Sequence, residues 1–143
     1  MKNKKHILIF IFALLVFPSS IKSQTDLLDS TQLEEMEAIT NLEVAVRNPD
    51  KVIKLDLHKM KLTEFPKEIL EFHNLQYLDL SKNKIKELPA EIGDLKNLQW
   101  LSVSKNNLEH LPFRIGDLTN LYYLNANQNK LTELPTSFGE LEN

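Results

Sequence analysis

Few residues in this chain are equipped for chemistry. Asp56 and His58 stand two apart, and Asp79 stands 23 after Asp56. In an extended segment, residues two apart share a face. A carboxylate, an imidazole and a second carboxylate from a neighbouring segment could therefore meet, offering oxygen and nitrogen donors to a divalent metal. A stable site would need a further ligand and partners to orient the first ones, and the adjacent Ser81 and Ser102 are poor candidates. His73 has no such neighbours, and Glu64, Glu87, His110 and Glu133 each stand two residues before a proline, where a turn surface is expected. The chain has no cysteine, which removes disulfides, thiolate metal sites and cysteine nucleophiles together. It also lacks a GxGxxG or P-loop motif. The expectation is no catalysis, no metal and no cofactor.

A second group of residues is suited to binding. Tyr77, Trp100 and Tyr123 are each 23 apart, with Lys54 one interval earlier and Tyr122 adding a fourth ring. Lys59, Lys82 and Lys105 keep the same interval, and Gln128 ends their row. If successive intervals lie side by side, three aromatics can stack on adjacent segments beside a lysine stripe. Aromatic side chains supply contact area and binding hot spots. The plainer reading is that aromatics fill a variable strand column and that the lysines are solvated charges that discourage aggregation.

What must position these residues is an internal repeat. The chain has 143 residues, 26 of them Leu and only three Gly, and the glycines Gly93, Gly116 and Gly139 are 23 apart. Pro66, Pro89, Pro112 and Pro135 share that period. A fixed period in rare residues indicates a repeat architecture. Four blocks follow: 52–74, 75–97, 98–120 and 121–143. In the second block Leu75, Leu78 and Leu80 are apolar, and the last two alternate with polar residues as in a short strand with one buried face. Stacked blocks would set these strands about 4.8 Å apart in a parallel sheet. Asn83, Asn106 and Asn129 fill the ninth column, where a buried amide can both donate to and accept from neighbouring turns and so build a hydrogen-bonded ladder. Proline then sets an extended entry to the outer side. Ile92 and Leu95, three apart, suit one helical or 3₁₀ turn. Gly93 allows close packing or a special backbone angle. The first block has Met60 in the Asn column and Leu70 in the Gly column, both expected to pack against a preceding cap.

The pattern LxxLxLxxNxLxxLPxxIGxLxN resembles the leucine-rich-repeat family, above all its 23-residue subclass found in Ras-group and plant disease-resistance-like proteins. The resemblance covers 52–143. It implies an α/β solenoid: a horseshoe segment with a parallel concave sheet, short helical or 3₁₀ convex turns and a helical N-terminal cap. It also implies a protein ligand on the concave face, where third- and eighth-column residues lie. The motif residues themselves are structural and do not name a partner.

The flanks complete the organisation. Lys2, Lys4 and Lys5 precede an eleven-residue apolar run from Ile7 to Phe17, then Pro18-Ser19-Ser20 and a small residue at Ser23. This order predicts a secretory signal peptide over 1–23, since eleven apolar residues make a helix of about 16 Å against a hydrocarbon core of about 30 Å. Export to the periplasm, cell surface or medium follows, with no membrane insertion after cleavage. Removal of four lysines would move the formal charge from −3 to −7, which disfavours nucleic acid. Residues 24–51 carry no repeat. Thr31/Glu34 and Thr40/Glu43 have capping-box spacing. Two helices are expected near 32–39 and 41–47, ended by Asn48-Pro49, and the stretch resembles the N-terminal cap of exported bacterial leucine-rich-repeat proteins, with a ligand-binding arm as the alternative role. The last block ends without a cap, which predicts continuation of the chain or self-association through that edge. The functional expectation is an exported, non-enzymatic protein-binding module. Two alternatives are substrate recognition for an enzyme extending past residue 143, and glycan or cell-wall binding by the aromatic row.

Overall fold

The computed structural model describes residues 26–137. The expected signal segment, Gly139 and the end of the last block lie outside them. Four three-residue strands, β1 (Lys54–Asp56), β2 (Tyr77–Asp79), β3 (Trp100–Ser102) and β4 (Tyr123–Asn125), form one parallel sheet in chain order. Each strand pairs with the next at a shift of one full repeat, so Tyr77 faces Trp100 and Trp100 faces Tyr123. In three of the four strands the fifth-column side chain caps the strand's end. Asp56, Asp79 and Asn125 each accept, through Oδ1, the backbone N–H two residues on, at 3.0, 2.7 and 3.1 Å. Below we call the four blocks coils 1 to 4.

On the outer side, proline opens a 3₁₀ turn in each of the first three coils: Lys67–Glu71, Ala90–Asp94 and Phe113–Asp117. The core lies between these turns and the sheet. Leu55, Leu78, Leu101, Ile69, Ile92 and Ile115 are fully buried there. Coil 1 uses Phe65 and Phe72 where later coils use leucine, and both are buried. Glycine serves close packing, because none of the described glycines has a positive φ. A Cβ on Gly93 would strike the backbone carbonyl of Arg114 in coil 3, and one on Gly116 would strike that of Ser137 in coil 4. Leu70 in coil 1 is partly buried against the core, and the turns of coils 1 and 2 pack less closely than those of coils 2 and 3.

The asparagine column forms a ladder with a direction. Asn83 Nδ2 donates to the Leu80 carbonyl of its own coil (2.8 Å) and the Leu57 carbonyl of the coil before (3.0 Å), while its Oδ1 accepts from Leu62 N–H (3.0 Å). Asn106 repeats this with Val103, Leu80 and Ile85. Asn129 does so with Ala126, Val103 and Leu108. Each amide therefore satisfies buried backbone groups one coil back. Coil 1 has no such coil behind it, so its column can hold Met60. The expectation that Met60 packs against the cap is wrong: it is 50% exposed.

A second asparagine column, at the end of each block, has a role that the sequence pattern does not reveal. Asn74, Asn97 and Asn120 donate to the carbonyls of Asp50, His73 and Lys96, each 24 residues earlier, at 2.8, 2.9 and 2.7 Å. Asn74 treats the Pro49–Lys51 turn as if it belonged to a preceding coil.

The N-terminal helices differ from the expected ones. Helix α1 spans Ser30–Glu35, with Asp29 and Gln32 forming the capping box in place of Thr31 and Glu34. It stops before Met36 because the chain must become extended: Ile39 forms a parallel bridge with Leu55, at the free edge of β1. Ile39 N–H donates to Lys54 O and Asp56 N–H to Ile39 O, both at 2.9 Å. Helix α2 spans Leu42–Ala45 and is capped by Asn41, not Thr40. Ala45 is buried in the core, and Ile39 and Leu42 pack on it, so this segment covers the edge of coil 1.

Candidate functional site

The period sets the third column of every strand on the concave face, and there the aromatics meet. Tyr77 and Trp100 stack with centroids 4.0 Å apart and planes 8° from parallel. Trp100 and Tyr123 stack at 4.8 Å and 4°. Such close, parallel stacking follows from strand spacing: in-register side chains on adjacent parallel strands have little freedom to offset. The next-earlier member of the column, Lys54, extends the stack. Its Nζ lies 4.8 Å from the Tyr77 centroid. That ammonium is also fixed from above, donating to the Leu33 and Glu34 carbonyls at 2.8 and 3.1 Å. These carbonyls belong to the last turn of α1, where a cation is favoured.

Helix α1 is thus held over the array by a residue of the aromatic column. The chain before it is held as well. Gln76 and Gln99, both buried second-column residues, clamp the backbone of this N-terminal arm. Leu28 N–H donates to Gln76 Oε1 (2.9 Å), Gln99 Nε2 donates to Leu28 O (2.9 Å), and the two amides bond to each other at 2.9 Å. Leu33 is buried. The consequence is a groove of about 240 Å³ with one wall from α1 (Ser30, Leu33, Glu34) and the other from Tyr77, Trp100, Tyr122 and Tyr123. The sequence reading gives residues 24–51 the role of a cap first and of a ligand-binding arm second, and it names no residue of the arm beside the site. The available signal is the pair of glutamines, Gln76 and Gln99, repeated in the second column. Tyr122 occupies this same column in coil 4, where it is 46% exposed and joins the groove.

The lysine row sits elsewhere. Lys59, Lys82 and Lys105 are exposed in the turns after the strands, with φ of 59°, 59° and 57°, and Gln128 follows at 58°. A left-handed backbone in non-glycine residues is uncommon, and its recurrence marks a fixed turn that carries each lysine to the rim of the sheet. The structure does not bring these lysines into the groove.

Asp56, His58 and Asp79 do meet, with one donor atom from each lying within 4.8 Å of the others. Asp56 Oδ1 already accepts His58 Nδ1 at 2.7 Å and His58 N–H, and Asp79 Oδ1 accepts Ser81 N–H. Their first role is to end strands. Their charge still reaches the aromatic row. Burial, then the carboxylates of Asp79 and Asp56, push the Tyr77 hydroxyl up to about 12, so it stays protonated over the physiological range.

On the convex side, Arg114 pairs with Asp94 of the preceding coil and with Asp117 of its own at 2.8 Å, and Lys96 Nζ donates to the Asp117 carbonyl at 2.9 Å. The Arg114 hydrogen bond and charge hold the Asp94 carboxyl below its ordinary range.

A parallel solenoid with ordered backbone ladders inside and a variable concave face is a repeat protein that presents a surface. The chain belongs to the leucine-rich-repeat family: a leucine-rich repeat region is matched over residues 51–143. No curated protein matches it. Among solved structures, it is similar to a leucine-rich-repeat protein of Leptospira interrogans, at 32% identity and TM-score 0.58, over 75% of this chain and 39% of that one. It shares the fold of an internalin, InlF, of Listeria monocytogenes, at 23% identity and TM-score 0.59, over 73% of this chain and 30% of that one. It is also similar to the ectodomain of the Arabidopsis thaliana receptor kinase GASSHO1/SCHENGEN3, solved in complex with CASPARIAN STRIP INTEGRITY FACTOR 2, at 37% identity and TM-score 0.52, over 55% of this chain and 10% of that one. The chain therefore spans about two fifths or less of each of these proteins. Domains of this family are typically protein-interaction modules and generally not enzymes. No helix among the described residues is long and apolar enough to cross a membrane.

Proposed function

We propose that this chain is an exported, non-enzymatic protein-binding module of the 23-residue repeat subclass. A signal peptide over 1–23 directs it to the periplasm, cell surface or medium, residues 24–51 cap the array, and the repeats over 52–143 bind a protein partner through their concave face. Tyr77, Trp100, Tyr122 and Tyr123 are the anchors, and Lys59, Lys82 and Lys105 line the rim as steering charges. The observation that carries this reading is the stacked, half-buried aromatic row. Its rings are rigidly held before any partner arrives, so little rotamer freedom is lost on binding.

The stack also favours protein over glycan. A sugar packs its C–H groups on the negative face of an aromatic ring. Both faces of Tyr77 and of Trp100 are taken, by Lys54 and by neighbouring rings. What these two rings offer is edges and polar groups, which suit peptide contacts.

Cross-linking the exported chain in its native setting tests the reading. Wild type is expected to capture a discrete protein partner, and the variant Tyr77→Ala/Trp100→Ala/Tyr123→Ala is expected to lose it while keeping its far-ultraviolet dichroism. Undiminished capture by that variant removes the assignment. The mass of the exported chain is expected to begin at Gln24, and retention of residues 1–23 would overturn the signal-peptide reading.

A further inference from the structure

The groove has a sign. Glu34 on α1 forms one wall, and its carboxylate is exposed. Asp56 and Asp79 sit two residues along from Lys54 and Tyr77 on the same strand face, a separation of about 7 Å. They also sit in register with each other on adjacent strands. Like charges placed opposite one another in a sheet repel. The one cation of the same column, Lys54, is already used: it donates to two α1 carbonyls and lies over Tyr77. It shows what this surface does with a positive group, holding an ammonium by carbonyl oxygens and a ring together. The remaining carboxylates, Glu34 in the groove wall and Asp79 and Asp56 close enough to act on the Tyr77 hydroxyl, have no ion pair with a lysine or arginine among the described residues.

Resting on the protein-binding reading above, we infer that the groove between α1 and the aromatic row is selective for a cationic side chain of the partner, an arginine or lysine presented on an extended segment. The apolar stem of such a side chain lies along the ring edges, and its head bonds to Glu34 on one side and Asp79 or Asp56 on the other. Arginine is preferred, because its planar fork can bridge two carboxylates. The N-terminal arm is then half of the binding site.

The single tryptophan, Trp100, stands at the centre of the row, so its emission reports on this site alone. The full exported chain is titrated with capped hexa-arginine, hexa-lysine and hexa-glutamate peptides. Hexa-arginine is expected to give a saturable change in Trp100 emission at lower concentration than hexa-lysine, and hexa-glutamate none. In Glu34→Gln/Asp56→Asn/Asp79→Asn, affinity for hexa-arginine is expected to fall at least tenfold. The fold tolerates these changes, since Asn125 already ends β4 with the bond that Asp79 makes in β2. The charge-matched control Glu87→Gln/Glu109→Gln/Glu133→Gln, on exposed turn residues, is expected to bind within twofold of wild type. No saturable response to hexa-arginine, an equal response to hexa-glutamate, or an equal loss in both triple variants would overturn the inference. If the peptides fail while the aromatic triple variant still loses its protein partner, charge selectivity falls and the protein-binding reading stands.

Discussion

Coil 1 and coils 2 and 3 are built on one frame, yet they are held differently. Coils 2 and 3 carry Asn83 and Asn106, whose amides bond one coil back, and Gly93 and Gly116, which leave room one coil forward. Coil 1 carries Met60 and Leu70 instead. The difference teaches that the repeat consensus is directional. An asparagine is needed where a coil stands behind it, and a glycine where the next outer turn comes close. At coil 1 the edge behind is closed by other means: the Ile39 bridge to Leu55, buried Ala45, and the Pro49–Lys51 turn that receives Asn74.

The strongest way to break this comparison is at the ladder. Asn106→Leu would orphan the buried Ile85 N–H and take one of two amide donors from each of the buried carbonyls of Leu80 and Val103. The expected loss is about 2–4 kcal/mol, from lost hydrogen bonds and unsatisfied groups together. Met60→Leu is expected to change stability by less than about 0.5 kcal/mol, as exposed substitutions do. Urea denaturation midpoints check both, and equal losses would end the directional account.

The glycine column offers a smaller contrast. Gly93→Ala sets a methyl against the Arg114 carbonyl, and backbone cannot swing aside as a side chain can. About 1–3 kcal/mol is the expected cost, read as a fall in melting temperature. Leu70→Ala, in the same column of coil 1, meets no comparable backbone constraint and is expected to lose only part of a half-buried side chain's contribution.

Smaller again is the effect of releasing the N-terminal arm. Gln76→Ala/Gln99→Ala removes the clamps on Leu28 and is expected to cost about 1 kcal/mol for each amide. Amide hydrogen exchange is expected to quicken over residues 26–35 but not at Ile39, whose bonds to coil 1 are independent. Equal quickening at both would mean that the arm and the cap open as one unit.

The smallest effect concerns the junction of the two regions, where Tyr77 lies beside Lys54. Burial, then the Asp79 and Asp56 carboxylates, push its folded-state hydroxyl up to about 12, above the ordinary value of 10. Below pH 10 both states are protonated and the site's contribution is complete. Above it the unfolded chain ionises first, so stability is expected to fall as pH rises from 10 towards 12. Tyr77→Phe is expected to weaken that decline, measured by chemical denaturation at each pH. An unchanged slope would show that other groups govern it.

Much of this was legible in the chain because the period repeats its own signal. Three copies of Asn and Gly, four of Pro and the leucine frame mark the same columns, and one physical account of a column applies to each copy. The aromatic row was legible for the same reason: strands one repeat apart and in register must place Tyr77, Trp100 and Tyr123 side by side. The helices of the arm were misplaced because they occur once. Thr31/Glu34 has the same spacing as Asp29/Gln32, and local propensity carries no information on where Ile39 must become extended to meet Leu55.

The sequence by itself determined the solenoid, its four strands and the facing of the concave column, since these follow from short-range periodicity. Only the tertiary structure decided that the lysines stand on left-handed turns at the rim, that asparagines serve the coil behind, and that the arm folds back so that Gln99 meets Leu28 across 71 residues. The arm depends on contacts between segments with no common period, and the turns and the ladder depend on how one coil meets the next. Their geometry is set by which backbone groups remain unpaired once the repeats have stacked.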